Sequence, residues 1–489
     1  MTRICVPVCE KNIEALESAA VRASELADVI ELRLDCLDES EGFERVLNKI
    51  SSPVILTFRP REQGGNRELD HRARQLFWKT APQTDWWDIE SDLTPETDWS
   101  HIILSHHDFS GVPQDLAQIY ERLAATPAVV LKIAVQANDI VDCVPVFKLL
   151  ERARSEGREM IAIAMGNAGL ATRILGPSRG AFLTYAALDT ESATAPGQIT
   201  AQRLRSVYHV ENIYPDTMIF GLVGLPVMHS VSPHMHNAAF RKAEVNGVYL
   251  PLEVRDVKTF CQRMVHPRTR EFDWNLRGLS VTAPHKSAVF EFLDWIEPIA
   301  KEIGAVNTIV IDNDKLRGFN TDAAGLIEPL LKVFNSLDGL RVAVIGAGGA
   351  ARATVWSLLK HQASVTLFAR DVVKARTLGQ VFGVSYETLS SALFAGYDLV
   401  INATPLGSGD LIDRVPATAE QLQGAGCVYD LIYNPIETRF LKEARTAGCK
   451  TVRGLEMLAA QAKKQFELWT GQTPSSNVMY DAAVAALNH

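Results

Sequence analysis

The sequence predicts an α/β protein: an N-terminal (β/α)8 barrel of the TIM type, followed by a two-domain α/β region with a Rossmann-type nucleotide domain. Eight short apolar runs recur within residues 1–210, mostly separated by amphipathic or polar segments. Strands that alternate with helices form parallel sheets with right-handed crossovers. In the second half, RVAVIGAGGAARA (residues 341–353) joins an apolar run to a helical segment through glycines, which is typical of a nucleotide-binding turn.

The composition is that of a globular protein with more than one domain, because the chain has 489 residues and only 22% of them are charged. No apolar run is long enough to span a bilayer, so we expect no membrane contact. The start, MTRICVPVCEKN, is too short and too charged for a signal peptide and is expected to form a strand.

The net charge of −9 comes from the first half. Residues 1–215 hold 22 Lys and Arg against 31 Asp and Glu, whereas residues 216–489 hold 27 of each. Because neither half is basic, we expect small-molecule partners and no nucleic acid. The seven cysteines are odd in number and include no C-x-x-C pair, so we expect reduced thiols in a cytosol-like compartment.

The number of apolar runs in the first half favours a closed barrel over an open doubly wound sheet, which is the structural alternative. Amphipathic stretches such as Asn12–Leu26 and Asp139–Arg154 supply the helices. The predicted strands are Ile4–Cys9, Val29–Asp35, Val54–Arg59, Trp86–Glu90, Ile102–His107, Val129–Val135, Met160–Met165 and Phe182–Leu188.

Polar residues stand where these strands end, at the edge that carries the chemistry in such barrels. They are Glu31, Arg33, Arg59 and His107, and Lys132 lies inside the apolar run AVVLKIAV. A charged amine there is costly unless it is paired or neutral. Its ammonium could reach water at the strand end, or its dry surroundings could make the amine a nucleophile that forms a Schiff base with a ketone. The histidine and arginines on the same rim favour the nucleophile.

The first half resembles type I 3-dehydroquinate dehydratase through VIELRLD, TFRP, SHHDF, LKIAV, MGNAGLATR and TAPGQ, which cover nearly all of residues 1–210. The resemblance implies that Lys132 forms an imine with the substrate ketone, that His107 is the general acid and base, and that Glu31 orients this histidine. It implies substrate contacts from Arg33, Arg59, Arg173, Thr194 and Gln198, with Arg173 clamping a carboxylate. The chain departs from the family at Gln63, where a glutamate often stands, and at Thr194, where some members have serine.

The glycine-rich turn of the second half fits the G-x-G-x-x-A pattern with Gly346, Gly348 and Ala351. The first glycine allows the turn, the second leaves room for a pyrophosphate, and the alanine lets the helix lie close to the strand. A turn that binds nothing is the alternative. The strand before it, and a second strand over Ser364–Ala369, favour a nucleotide site.

Several polar residues of the second half have ordinary explanations when taken singly. Ser230 or Ser232 could cap a helix, Lys286 could lie on the surface, and Asp322 could cap another helix. However, HSVSPHMHN, SVTAPHK, GAVNT, GFNTDAAG, GAGGAAR, INATP and GLEMLAAQ follow the order found in shikimate dehydrogenase, which residues 219 to about 470 resemble.

This second resemblance implies a catalytic pair, Lys286 and Asp322, which delivers a proton to the carbonyl oxygen while the cofactor supplies a hydride. The implied substrate-binding residues are Ser230, Ser232, Thr282, Asn307, Tyr433 and Gln461. The implied cofactor-binding residues are Gly346, Gly348, Gly349, Ala350, Arg370, Lys374, Thr404 and Gly454. A 2′-phosphate needs a cation beyond the second strand, so Arg370 favours NADP over NAD, whereas Asp371 weakens that preference. No metal is expected.

The predicted domains are residues 1–215 for the barrel, 216–335 with 456–489 for a substrate-binding domain, and 336–455 for the nucleotide domain. The two resemblances predict consecutive reactions on the route to aromatic amino acids: dehydration of 3-dehydroquinate to 3-dehydroshikimate, then reduction of that product to shikimate with NADPH. One alternative is an NAD enzyme acting on quinate. Another is a metabolite sensor, which the presence of Lys132, His107, Lys286 and Asp322 disfavours. The expected location is the cytoplasm, or a plastid if a transit segment was removed.

Overall fold

The computed structural model describes residues 2–39, 41–93, 99–475 and 477–488. The chain divides into two compact units. The first unit consists of Met1–His229 and Gly247–Leu276, and the second consists of Ser230–Asn246 and Arg277–His489.

The first unit contains the predicted barrel. Its parallel strands are hydrogen-bonded in the order β7-β6-β5-β4-β3-β2-β1-β8. Met160 and Ala181 form a bridge between the two ends of this sheet, where the Phe182 N–H donates to the Met160 carbonyl at 2.8 Å. The (β/α)8 prediction is therefore confirmed. The strands are β1 Ile4–Val8, β2 Val29–Arg33, β3 Val54–Thr57, β4 Trp86–Glu90, β5 Ile102–Asp108, β6 Val130–Gln136, β7 Glu159–Met165 and β8 Thr184–Tyr185.

Some helices of the barrel begin at side chains that accept backbone N–H groups. Asn12 and Asp70 cap α1 and α3 in this way. Helix α1 buries Leu16, Ala19 and Ala23, which share one face at helical spacing. The helices are α1 Ile13–Ser24, α2 Glu44–Leu47, α3 His71–Thr80, α4 Leu116–Ala124, α5 Cys143–Ser155, α6 Leu170–Leu175 and α7 Ala201–Ser206.

The inside of the barrel changes from apolar to polar toward the carboxyl ends of its strands. Alternate residues of a strand point to the same face. Inward-facing apolar residues near the starts of the strands form the floor of the barrel, and each of them is followed two positions later by another inward side chain. The floor includes Val29, Ile55, Trp86, Ile103 and Val130. Two positions further along the same strands stand the buried polar residues Glu31, Thr57, Asp88, Ser105 and Lys132.

The expectation that all cysteines are reduced is wrong in this structure, because Cys9 and Cys36 form a disulfide. These residues follow β1 and β2, which are neighbours in the sheet, so the two chain segments leave the barrel side by side with a Cα–Cα distance of 5.4 Å. The remaining cysteines, Cys5, Cys143, Cys261, Cys427 and Cys449, form no disulfide and are buried.

The next part of the chain builds two smaller groups of strands. In the first unit β9 and β10 pair in parallel. In the second unit β13 is antiparallel to both β11 and β14, and β14 is parallel to β12. The strands are β9 Met218–Gly224, β10 Gly247–Glu253, β11 Leu276–Val281, β12 Trp295–Ile296, β13 Thr308–Asp312 and β14 Lys315–Phe319, and the helices are α8 Ser232–Lys242, α9 Val257–Phe260, α10 Pro298–Ile303 and α11 Asp322–Phe334.

The second unit also contains the predicted Rossmann-type sheet. Its six parallel strands follow the order β17-β16-β15-β18-β19-β20, and separate apolar clusters cover its two faces. The order reverses between β15 and β18, which is where such sheets bind ligands. The strands are β15 Arg341–Ile345, β16 Ser364–Ala369, β17 Ser385–Thr388, β18 Leu399–Asn402, β19 Cys427–Asp430 and β20 Lys450–Val452, and the helices are α12 Gly349–Lys360, α13 Val372–Phe382, α14 Ala419–Leu422 and α15 Arg439–Thr446.

The last two helices, α16 Gly454–Thr470 and α17 Val478–Leu487, return to the earlier part of the second unit. Helix α16 packs on α11 and α17 packs on α8. Trp469 Nε1 donates to the Ile309 carbonyl on β13 at 3.0 Å. Among the described helices, none combines the length and the apolar character needed to cross a bilayer.

Candidate active sites

Eight residues predicted for the first half line one cavity at the carboxyl end of the barrel. They come from strand ends and following loops, as the fold requires. They are Glu31, Arg33, Arg59, His107, Lys132, Arg173, Thr194 and Gln198.

Lys132 lies at the centre of a buried group of charged side chains. Its side chain on β6 is 4% exposed, and its Nζ donates to Asp88 Oδ2 at 2.6 Å and to the Tyr185 hydroxyl at 2.9 Å. Nζ also lies 3.7 Å from Glu31 Oε1 and 4.4 Å from the centroid of the Tyr185 ring. Because this amine is enclosed by protein, the alternative of an ammonium that extends into water does not apply.

Two arginines of the cavity wall already hold carboxylates of the protein. Arg33 donates from Nε and Nη2 to Asp35 at 2.9 and 2.8 Å. Arg59 Nη2 lies 2.7 Å from Asp88 Oδ2, and Arg59 Nε donates to Glu90 at 3.3 Å. Such paired guanidinium groups are held in fixed directions, and both of these side chains border the cavity.

Arg173 differs because no carboxylate pairs with it among the described residues. It is 1% exposed on α6, and its guanidinium donates only to the backbone carbonyls of Tyr185 and Pro196, at 3.5 and 3.3 Å. Burial lowers the pKa of Arg173 to about 10, and Nε has no partner within the described chain. An unpaired buried cation is costly, and an anionic ligand in the cavity could supply the missing partner.

His107 stands at the end of β5 with its imidazole in the cavity wall. Burial, followed by the cations of Arg59 and Lys132, holds the pKa of His107 well below its usual value. Nδ1 has no hydrogen-bond partner in the described part of the chain. A neutral imidazole of this kind can accept a proton from a substrate.

Glu31 does not orient His107, contrary to the expectation. Its carboxylate accepts from Thr57 Oγ1 at 2.7 Å and lies beside Lys132, one layer deeper in the barrel than the histidine. Gln63 contacts the backbone of His107 instead: its Oε1 accepts from the His107 N–H at 3.2 Å. This glutamine brings no charge to the imidazole.

Replacing Gln63 with glutamate is expected to raise the pKa of His107, because a carboxylate within about 4–6 Å favours the protonated ring. If neutral His107 accepts the proton, the acid limb of the pH profile of kcat/KM should move to higher pH, which steady-state assays over roughly pH 5–9 would detect. Glu62→Gln, one residue earlier and exposed, is the control and should leave the profile in place. An unchanged acid limb in Gln63→Glu would exclude His107 as its source.

Thr194 and Gln198 are hydrogen-bonded to each other in the last loop of the barrel. Gln198 Oε1 accepts from the Thr194 N–H at 2.9 Å, and Gln198 Nε2 donates to Thr194 Oγ1 at 3.3 Å. Both border the cavity. The hydroxyl and the amide are therefore available together to a polar ligand.

Sequence reasoning missed three groups of this site: Asp88, Glu90 and Tyr185. The first two lie in Trp86–Glu90, which counted only as an apolar strand. Carboxylates two positions apart share a face of a strand, and this spacing was the available signal. Tyr185 carried no comparable signal in the sequence.

In the second unit the structure brings Lys286 and Asp322 together. Lys286 Nζ donates to Asp322 Oδ2 at 2.6 Å, and Asn307 Nδ2 donates to the other oxygen, Oδ1, at 2.8 Å. Asp322 is the first residue of α11, where the positive end of the helix favours a carboxylate. The side chain of Lys286 is 36% exposed, so its amine remains accessible to a ligand.

The loop that carries Asn307 is held by Gln465 of α16, which sequence reasoning also missed. Ser280 Oγ donates to Gln465 Oε1 at 2.8 Å, and Gln465 Nε2 donates to the Asn307 carbonyl at 3.3 Å. Gln465 lies one helical turn after Gln461, and both are buried. Two buried glutamines on one helix face were the usable signal.

The other predicted substrate-binding residues form a second group. Ser230 Oγ donates to Ser232 Oγ at 3.1 Å and accepts from the Ser232 N–H at the start of α8. The Tyr433 hydroxyl hydrogen-bonds Ser230, and burial raises its pKa. Across the described ranges, Thr282 and Gln461 make no hydrogen bond to Lys286, Asp322 or Asn307. Gln461 Nε2 instead donates to the Leu458 carbonyl at 2.9 Å.

The glycine-rich turn lies at the reversal of the parallel sheet. Gly346 has a φ of 127°, and a Cβ there would lie 2.9 Å from the Ala403 carbonyl oxygen, so the turn requires glycine. Gly348, Gly349 and Ala350 are exposed at the start of α12, which has no side-chain cap. Side chains added at either glycine would enter open space. The exposed N–H groups of this helix end can receive a phosphate.

The other predicted cofactor-binding residues lie in different surroundings. Arg370 is exposed at the end of β16. Thr404 donates from N and Oγ1 to Asn402 Oδ1 at 3.0 and 2.6 Å, beside Gly346. Gly454 is buried, and a Cβ there would lie 2.4 Å from the Ile432 carbonyl oxygen, so its glycine lets α16 begin against the segment after β19. A cofactor contact by Gly454 stays a prediction.

Comparison with known proteins matches each half of the chain to the family that its sequence resembles. The type I 3-dehydroquinase family matches residues 4–215, and the shikimate dehydrogenase substrate-binding domain matches residues 222–309. A putative NAD(P)-binding family matches residues 333–411, and the shikimate 5′-dehydrogenase C-terminal domain matches residues 454–484. A chloroplastic bifunctional 3-dehydroquinate dehydratase/shikimate dehydrogenase of Arabidopsis thaliana is 33% identical over 512 residues, which cover 98% of this chain and 83% of that protein.

The chain belongs to the bifunctional 3-dehydroquinate dehydratase/shikimate dehydrogenase family. Its second half is also similar to separate dehydrogenases. An NADP+ shikimate dehydrogenase of Methanocella arvoryzae is 43% identical over 276 residues, covering 55% of this chain and 99% of that one. The shikimate 5-dehydrogenase of Thermus thermophilus, solved with NADP(H) and shikimate, has a TM-score of 0.50 and 36% identity, covering 55% of this chain and 100% of that one.

For this bifunctional family member, the surroundings of Arg370 fit NADP. Asp371, which weakened that preference in the sequence, is committed to α13: its Oδ1 accepts from the N–H groups of Val373 and Lys374 at 3.1 and 3.2 Å. Lys374 Nζ lies 3.8 Å from Asp371 Oδ2. The acid therefore caps a helix, and Arg370 remains exposed at the end of β16.

Arg370→Ala is expected to raise the KM for NADP roughly ten- to a hundredfold, because a charge-assisted contact contributes about 1.5–3 kcal/mol. The KM for NAD, which lacks the 2′-phosphate, should change little. Steady-state kinetics with shikimate and each cofactor measure both values, and Arg376→Ala, a nearby exposed arginine, is the control. Equal losses with both cofactors would mean that Arg370 does not read the phosphate.

Proposed function

We propose that the barrel cavity converts 3-dehydroquinate to 3-dehydroshikimate and that the site around Lys286 reduces this product to shikimate. The chain is a bifunctional dehydroquinase and shikimate dehydrogenase of the shikimate pathway, a lyase and an oxidoreductase that uses NADP. The roles of individual residues are the substance of the proposal.

In the barrel, the enclosed amine of Lys132 carries the proposal. It attacks the substrate ketone and forms an imine as the ketone oxygen leaves as water, and this imine acidifies the adjacent C–H. His107 removes that proton and returns it to the hydroxyl that leaves as a second water. Hydrolysis of the imine then releases 3-dehydroshikimate and restores the amine. Arg173 binds the substrate carboxylate, which is supported by its lack of a carboxylate partner in the described chain. Asp88 and Tyr185 hold the lysine at the reacting carbon until the imine forms.

In the second unit, the cofactor supplies a hydride to the substrate carbonyl carbon when it is bound. Lys286 gives a proton to the carbonyl oxygen, and Asp322 holds the lysine and the new hydroxyl in line. Asn307 fixes the carboxylate through its hydrogen bond to Oδ1. Ser230, Ser232 and Tyr433 bind polar groups of the substrate, as do Thr282 and Gln461.

The cofactor residues and domain limits belong to the same proposal. Gly346, Gly348, Gly349 and Ala350 would hold the pyrophosphate, Arg370 and Lys374 would bind the 2′-phosphate, and Thr404 and Gly454 would contribute further cofactor contacts. The domains are residues 1–215, residues 216–335 with 456–489, and residues 336–455. The protein works in the cytoplasm or a plastid and binds small molecules rather than nucleic acid.

The test is to supply 3-dehydroquinate and NADPH and to identify every product by mass and chromatography. Shikimate, formed through 3-dehydroshikimate with one NADPH oxidised per molecule, is the expected result. Quinate oxidation with NAD that is faster than shikimate oxidation with NADP would instead support the quinate alternative. Binding of these compounds without turnover would support a sensor.

A further inference from the structure

A row of alternating charges leads from the surface of the first unit to Lys132. In order, it contains Asp92, Arg74, Glu90, Arg59, Asp88 and Lys132, and each neighbouring pair is joined by an ion pair. Of these six residues, Arg59 and Lys132 border the cavity. The other four can act on a ligand there through these two.

Arg74 is the member of this row that comes from outside the barrel. It lies on α3, is 2% exposed, and directs its guanidinium to the carboxyl end of β4. Nη1 donates to Glu90 Oε2 at 3.3 Å and to Asp92 Oδ1 at 3.0 Å. Burying an arginine on a surface helix is costly unless carboxylates meet it, and here two of them do.

Glu90 connects this helix to the cavity. It is fully buried, and its two oxygens are divided: Oε1 accepts from Arg59 Nε and Oε2 accepts from Arg74 Nη1, each at 3.3 Å. Arg59 is shared with Asp88, whose like charge on the same strand opposes that of Glu90. Without Arg74, Glu90 would keep only a cation that it shares with a second carboxylate.

We propose that Arg74 is a positioning residue for dehydration, which keeps Glu90 ionised and thereby fixes the direction in which Arg59 faces the substrate. This inference rests on the proposed function of the barrel cavity. It assigns a role in substrate binding to a residue that the substrate does not touch.

The charges around Glu90 support this role. Burial raises the pKa of Glu90 to about 7, with Arg59 and Arg74 acting to lower it and Asp88 acting to raise it. On the neighbouring strand β5, neutral Ser105 stands opposite Glu90 in the register, and His107 follows it. Glu90 therefore becomes ionised close to neutral pH, where the loss of one cation changes its charge.

The sign of the pH effect follows from this arrangement. Ionised Glu90 holds Arg59, so kcat/KM for 3-dehydroquinate should rise with pH through about 7. This rise lies above the acid limb set by His107, whose pKa is held well below its usual value. Removing the Arg74 cation raises the pKa of Glu90, which should move this rise to higher pH. A purely structural contact between α3 and β4 would lower stability without moving the profile.

The test measures the dehydratase kinetics of the full chain as a function of pH. The reaction is followed by the ultraviolet absorbance of its product 3-dehydroshikimate, which is a conjugated enone. Arg74→Met should raise the KM for 3-dehydroquinate roughly tenfold or more, with a smaller effect on kcat. It should also move the rise of kcat/KM to higher pH. Arg74→Lys should restore most of both properties. Arg45→Met removes an exposed ion pair with Glu14 and should match the unmodified protein.

A thermal melt and the near-ultraviolet circular dichroism of each variant report whether its barrel is folded. If Arg74→Met fails to fold, the variant Glu90→Gln tests the proposal instead. This change keeps the shape of the side chain but removes its charge, so the rise of kcat/KM near pH 7 should disappear. An unchanged KM and profile in folded Arg74→Met, or a rise that persists in Glu90→Gln, would overturn the proposal. Loss of dehydration in the unmodified protein would instead refute the proposed function itself.

Discussion

Lys132→Ala is expected to abolish dehydration while 3-dehydroshikimate is still reduced at nearly the normal rate. The variant loses the amine that forms the imine, so the dehydratase rate should fall on the order of a thousandfold or more. Borohydride added during turnover of the unmodified protein should reduce the imine and attach the substrate to the peptide that contains Lys132. Mass spectrometry of a digest locates this adduct.

The matched control is Lys148→Ala, because Lys148 is an exposed lysine of the same unit that pairs with Glu271. It should retain both activities and the adduct. An adduct on another residue, or dehydration that survives in Lys132→Ala, would remove Lys132 from the mechanism. Loss of reduction as well as dehydration would indicate a folding defect, which a thermal melt would reveal.

Asp322→Asn should produce the complementary defect, with dehydration intact and carbonyl reduction slowed by about 10²–10⁴-fold. The change keeps the shape of the side chain but removes the charge that holds Lys286 Nζ at 2.6 Å. With 3-dehydroquinate and NADPH, this variant should accumulate 3-dehydroshikimate, whose conjugated enone is followed by ultraviolet absorbance.

Asp338→Asn, a change at an exposed residue between α11 and β15, provides the comparison and should convert substrate to shikimate normally. If Asp322→Asn also stopped dehydration in a folded protein, the two reactions would depend on each other. The assignment of each active site to its own set of residues would then be wrong.

The fold was predictable because its strands are continuous apolar runs, which parallel sheets bury on both faces. The eighth strand was the exception: the run Phe182–Leu188 gives only Thr184–Tyr185, because the chain on either side makes bridges elsewhere, at Ala181 and at Ala187. A run of apolar residues marks burial, but it does not fix how many of them join the ladder.

Within the sites, residue types were easier to predict than partners. The eight barrel residues all reached one cavity, yet Glu31 lies one layer too deep to meet His107. Depth inside a barrel depends on the register of neighbouring strands, which a single sequence does not state. The Cys9–Cys36 pairing was missed for the same reason, since it depends on β1 and β2 being neighbours.

The cap that Asp371 forms on α13 bears on how cofactor preference can change. Because the carboxylate is occupied by backbone N–H groups, deleting the neighbouring arginine would not release an acid to bind the ribose of NAD. Loss of NADP binding and gain of NAD binding therefore require separate substitutions in this chain. An engineer or a lineage that seeks an NAD enzyme would have to introduce a new acceptor at the end of β16, and the intermediate with only Arg370 removed would use both cofactors poorly.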